Sequence, residues 1–154
     1  MRDGYIEDYV SGVEVKASAE EVQAVQPFEK ILVEDYGYPK EMITTHPQYR
    51  VKVRPSDNKK EYPVDIAVFN NSAKDDDSVY IIVECKKKTR KDGRTQLESY
   101  LRFCKAAMGV WYNGEGRFFC VNMKKMVALN LKRFLIFLNT VKELRILESL
   151  KEKT

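Results

Sequence analysis

Asp65 stands near the start of the run PVDIAVF, and Glu84 and Lys86 stand near the end of the run VYIIVECKK. Paired as antiparallel strands, the two runs bring two acids and a lysine to one end of a hairpin. A strand turns side chains to one face at i and i+2, so Glu84 and Lys86 point one way and Cys85 the other. Two carboxylates held together repel unless a cation sits between them. Oxygen donors in this pattern suit Mg²⁺, which takes one or two carboxylates, several waters and a substrate phosphate.

Directly after the acids, Lys86, Lys87, Lys88, Arg90, Lys91 and Arg94 place six cations in nine positions. Alone, such a run reads as a solvated loop. Beside a candidate metal site it reads as a contact for a phosphodiester backbone, whose charge must be neutralised where it is cut. The formal net charge of +4, from 27 basic and 23 acidic residues, argues for nucleic acid less than this placement does.

The elements that must position these groups follow from periodicity. Residues 1–16 show no clear period and are expected to form a loosely held lead-in. Ser18 as N-cap with Glu21 three residues on makes a capping box. Val22, Val25, Phe28, Ile31, Leu32 and Tyr36 then recur at helical spacing until Gly37 and Pro39, with Pro27 inside the run, so one bent amphipathic helix is predicted. His46, the single histidine, lies in a loop beside Pro47 and is assigned no role. From Tyr49 the period becomes alternating: YRVKVR, EYPVDIAVF and VYIIVECKK read as three strands, the last apolar enough to be central. Thr95 and Glu98 offer a second capping box ahead of Leu97, Leu101, Cys104 and Met108 at helical spacing. GVWYN and RFFCVN read as two further strands about the turn NGEG. From Met123 to Thr154 a long helical tract carries Val127, Leu131, Phe134, Leu138, Val141 and Leu144 on one side. Residues 123–138 are expected to pack on the core, and the part after Thr140 to serve as a tether or docking helix.

The expected fold class is α/β: a sandwich with a central mixed β-sheet flanked by helices, in the order α-βββ-α-ββ-α. At 154 residues the chain makes one main domain over residues 1–122, and its 44% apolar and 32% charged residues describe an ordinary globule. No apolar run approaches the ~20 residues of a membrane span. Cys85, Cys104 and Cys120 form no CxxC pair, which reads as reduced thiols in a cytoplasmic protein and argues against structural zinc. There is no G-x-x-x-x-G-K-[ST] loop, so no ATP site is expected in this chain.

Asp65 in PVD, a 19-residue step to Glu84, and then E-C-K, with helices before and after, resemble the PD-(D/E)xK nuclease fold. Gln96 and Tyr100 form a Q-x-x-x-Y motif on the following helix. Together with DYGYPKEMI and VECKK, these pieces resemble the N-terminal nuclease domain of type I restriction endonuclease R subunits over about residues 17–122. The resemblance implies an Mg²⁺-dependent DNA endonuclease of a type I-like restriction-modification system, with Mn²⁺ able to substitute. Asp65 and Glu84, with the main-chain carbonyl of Cys85, would hold the metal, and Lys86 would orient or activate the attacking water. Glu21 aligns with an acidic residue that the family often has near the start of its first helix, although its capping box accounts for it equally. Gln96 and Tyr100 would contact the DNA backbone or a metal-bound water, although Tyr100 also fits as a core aromatic. Lys87, Lys88, Arg90, Lys91 and Arg94 would meet double-stranded DNA. Motor, modification and specificity subunits are the implied partners, and the chain could be an excised domain, a split subunit or a stand-alone relative. A non-cutting nucleic-acid-binding module and a scaffold or interaction domain are the alternatives.

Overall fold

The computed structural model describes residues 1–52, 56, 58, 62–122, 125 and 144–146. At its centre is a mixed sheet built from β3 (Ile43–Thr44), β6 (Ile66–Phe69), β7 (Val79–Cys85), β8 (Met108–Tyr112) and β9 (Arg117–Val121), in the order β3-β6-β7-β8-β9. Every residue of β7 is buried, as expected for a strand covered on both faces. β6 and β7 are antiparallel, β7 and β8 parallel, and β8 and β9 antiparallel. The parallel step is made by α2 (Arg94–Phe103), the crossover that a parallel pair requires.

Two layers of helix cover the sheet. A helical segment runs as a π turn over Glu21–Val25, then α1 (Gln26–Lys30), then a second π turn over Ile31–Asp35, with right-handed dihedrals at each junction. Pro27 sits near the start of α1, where its missing N–H costs least, so it divides the helix without breaking it. Gly37, at φ +74°, ends the segment. Ala24, Val25, Phe28 and Leu32 bury against Ile81, Val83 and Cys85 on one face of the sheet, while Val22, expected on the same stripe, is 50% exposed. On the other face Leu97, Tyr100 and Leu101 of α2 pack against Ile82 and Trp111. Gly109 allows this approach, because a Cβ there would lie 3.1 Å from the Leu97 side chain.

Four expectations need correction. Residues 1–16 form an antiparallel hairpin, β1 (Tyr5–Glu7) with β2 (Glu14–Lys16), whose three-residue strands are too short to show a period. Among the described residues, the YRVKVR and EYP runs contribute β4 (Arg50–Val51) and β5 (Tyr62–Pro63), paired apart from the main sheet. Thr95 does not cap α2: the helix starts earlier behind Gly93, whose φ of +100° makes the turn that a cap would otherwise stabilise. Within the C-terminal tract, Leu144–Ile146 form β10, a strand parallel to β9 at the sheet edge and not a helical turn. The rest of the expected helix after Met123, Lys125 excepted, lies outside the described residues.

Candidate functional site

The β6–β7 register opposes Ile66 to Val83, and the Asp65 N–H donates to the Val83 carbonyl at 3.1 Å. Asp65 and Glu84 therefore meet at the mouth of the hairpin, beside the start of α2. Carboxyl ends of strands at a crossover are where open α/β sheets present ligand clefts. Asp65 Oδ2 accepts the Cys85 N–H at 2.7 Å, and Oδ1 accepts from Gln48 Nε2 at 3.3 Å. Lys86 Nζ stands 3.6 Å from Glu84 Oε1, while Glu84 Oε2 is buried without a hydrogen-bond partner. The Cys85 thiol is fully buried on the opposite face, as alternation requires.

Burial is the main cause that pushes both carboxyls above the ordinary carboxylate range. For Asp65 the Cys85 N–H opposes it, and Glu20 adds to it. For Glu84 the facing Asp65 adds most after burial, and Lys86 opposes. The site is thus a buried anion pair short of positive charge, with one orphaned oxygen. Those features fit a divalent cation held by oxygen donors.

Lys86 passes beside Gly93. A Cβ there would lie 2.9 Å from Lys86 Cε and 3.6 Å from Trp111 Nε1, so a side chain at 93 would make the tip of the lysine shift. Gln96 Nε2 donates to the Tyr100 hydroxyl at 2.5 Å, one turn apart on α2. Tyr100 is 3% exposed and stacks near Tyr62 with ring centroids 5.9 Å apart. Its hydroxyl is pushed up to about 12, by burial first and then by the charge of Glu84. Tyr100 is therefore a core aromatic whose hydroxyl lies within electrostatic reach of the acidic pair.

Glu21 sits between Ser18 of the helix start and His46. Its N–H donates to Ser18 Oγ at 3.1 Å, half of the capping box, but its carboxylate accepts from Gln26 Nε2 at 2.7 Å and faces His46 at 3.5 Å. The neighbouring Glu20 is the first helix carboxylate to act on Asp65 and the one that acts on Glu84. Successive helical residues diverge by about 100°, so Glu20 and Glu21 point apart, although the charge of each reaches Asp65. Glu20, Gln48 and the group Asp8, Glu21 and His46 were missed because their association depends on long-range packing. The only local signal was two adjacent acids at a helix start.

The basic run forms a pinned loop. Lys87, Lys88, Arg90 and Lys91 are exposed. Gln23 Oε1 accepts the Lys88 N–H at 3.0 Å, and Asn113 Nδ2 donates to the carbonyls of Lys88 and Arg90 at 3.4 and 3.0 Å. Arg90 pairs with Asp92, its Nε donating to Oδ1 at 2.8 Å. Arg94 lies over the rings of Trp111 and Phe118, 4.8 and 4.9 Å from their centroids, so it belongs to the loop's support as well as its charge.

Among the described residues no helix is long and apolar enough to cross a membrane. No curated protein and no solved structure is significantly similar to the chain. Residues 20–133 match the family described as type I restriction enzyme R protein N terminus (HSDR_N), a span that holds the acidic pair, Lys86, the basic loop and the Gln96–Tyr100 pair. By that match over most of its length, the chain belongs to the family of type I restriction enzyme R protein N termini.

Proposed function

We propose that this chain is a metal-dependent DNA endonuclease domain of the PD-(D/E)xK kind, acting in the cytoplasm within a type I-like restriction-modification system. The observation that carries the reading is the meeting of Asp65, Glu84 and Lys86 at one buried, charge-deficient hairpin mouth. Asp65 and Glu84 would hold Mg²⁺, or Mn²⁺ in its place, with the Cys85 carbonyl a candidate third donor. The bound ion supplies Lewis-acid stabilisation and a lowered water pKa. Lys86 orients the attacking water and offsets charge developing on the phosphate. The Tyr100 hydroxyl, which accepts from Gln96 and lies within electrostatic reach of the same carboxylates, would help hold that water. The exposed loop cations bind double-stranded DNA independently of sequence, and motor, modification and specificity subunits supply translocation and target choice. Incubating supercoiled plasmid with the chain and Mg²⁺ or Mn²⁺ tests the reading. Nicking that is blocked by chelator is expected, and DNA binding without any nicking would favour the non-cutting module.

Replacing Lys88 and Lys91 by alanine should weaken DNA binding for every sequence and lower the salt slope by about 0.9 for each phosphate that is no longer neutralised. The melting temperature should stay put, because the loop is held through main-chain groups. Equal salt slopes in variant and parent would return the run to a solvated loop.

Gly93→Ala is expected to strain the left-handed turn at the start of α2 and to displace the tip of Lys86, slowing cutting about tenfold to a hundredfold, the scale of a misplaced catalytic group. Mn²⁺ affinity by calorimetry should change little, since neither carboxylate moves. A cutting rate equal to the parent's would show that the lysine stem has another path.

A further inference from the structure

We propose that Asp8, Glu21 and His46 form a second cation site, separate from the Asp65–Glu84 pair and suited to a transition-metal ion of the Zn²⁺ class. One donor atom from each of the three lies within 4.8 Å of the others. His46 Nε2 is 3.5 Å from Glu21 Oε1 and 3.7 Å from Asp8 Oδ1. These are not hydrogen bonds, and Nε2 is buried with no partner of its own. Metal bonds of about 2.0–2.2 Å place neighbouring donors roughly 3.0–3.6 Å apart, so side-chain shifts of about an ångström close the set.

Both carboxylates are already oriented from behind, as ligands are in built sites. Gln26 Nε2 donates to Asp8 Oδ1 and Glu21 Oε1, each at 2.7 Å. The Ser11 N–H, Ser11 hydroxyl and Thr45 hydroxyl donate to Asp8 Oδ2 at 2.8, 2.7 and 2.7 Å. An imidazole nitrogen with carboxylate oxygens is a ligand set for borderline ions, whereas Mg²⁺ favours oxygen alone. A cavity of about 420 Å³, lined by Ser11, Thr45 and Pro47 and by Lys40 and Lys74, adjoins His46.

This site does not depend on the nuclease reading, and its test does not use cutting. The full chain carrying Asp65→Asn and Glu84→Gln, which leave Asp8, Glu21 and His46 in place, is titrated with Zn²⁺ by calorimetry. About one equivalent should bind, and adding His46→Ala should weaken it roughly tenfold or more, the scale at which even supporting contacts act. Because His46 is the chain's only histidine, the unmutated protein gives a second readout: its Nε2 ¹⁵N resonance should shift on saturation with Zn²⁺. An Nε2 resonance that Zn²⁺ leaves unmoved, or equal Zn²⁺ affinity with and without His46, overturns the site and leaves an imidazole beside two carboxylates.

Discussion

Asp65→Asn should reduce plasmid nicking by about 10³-fold or more while leaving the chain folded. The size follows from what the carboxylate does: without its charge the site loses much of its hold on the metal, and with it the several kcal/mol of transition-state stabilisation a bound ion supplies. The fold survives because the asparagine side-chain oxygen still accepts the Cys85 N–H that Asp65 Oδ2 takes at 2.7 Å. Glu84→Gln should behave alike, and Lys86→Met should stop cutting yet keep calorimetric Mn²⁺ binding. Single-turnover nicking beside circular dichroism separates loss of chemistry from loss of structure. Undiminished nicking by either carboxylate variant would end the endonuclease assignment.

The metal-free protein should lose stability as pH rises from the ordinary carboxylate range, about 4, through neutrality. Asp65 and Glu84 have raised folded-state pKa values, mainly from burial. Over that window the folded chain binds more protons than the unfolded one, so stability is fully present below the unfolded pKa and falls as the folded groups give up their protons. Glu29 acts in the same direction toward about 10. Asp8 has the opposite sign, its contribution being lost only as pH falls below the usual carboxylate range. Comparing wild type with the Asp65→Asn, Glu84→Gln double variant isolates the pair: in chelator the wild type should lose on the order of 2 kcal/mol more between pH 5 and 9. Mg²⁺ at a hundred times its Kd should restore about 2.7 kcal/mol to the wild type alone. Parallel pH profiles for the two proteins would refute a charge-strained site.

What could be read from the sequence was whatever a short window encodes. Alternation and β-branched content mark VYIIVEC as β7, and the spacing back to PVD then places Asp65 against Glu84, as the register has it. The apolar positions Val25, Phe28 and Leu32 of the first helix and the pair Gln96 and Tyr100 are likewise local. Associations made by packing were not legible. Asp8 lies beyond a three-residue strand, His46 in a loop, and Glu21 on a helix whose rotation is set by Phe28 entering the core beside Tyr112. The start of α2 went astray because a capping-box pattern at Thr95 competed with a left-handed glycine two residues earlier, and the glycine prevailed. At Leu144–Ile146 an apolar spacing compatible with a helix instead met an open sheet edge, where pairing with β9 satisfies the backbone.

The grip of Asn113 on the basic loop has an evolutionary reading. Its amide holds the carbonyls of Lys88 and Arg90, and Gln23 holds the Lys88 N–H, so the shape of the loop is written in main-chain contacts. The side chains at positions 87, 88 and 91 then ride on a frame that does not consult them. On the proposed function, cations there can be gained or lost one at a time, moving the salt concentration at which DNA would be released without refolding anything. Ionic-strength adaptation and active-site chemistry are therefore separable traits in this domain, open to selection or engineering one without the other.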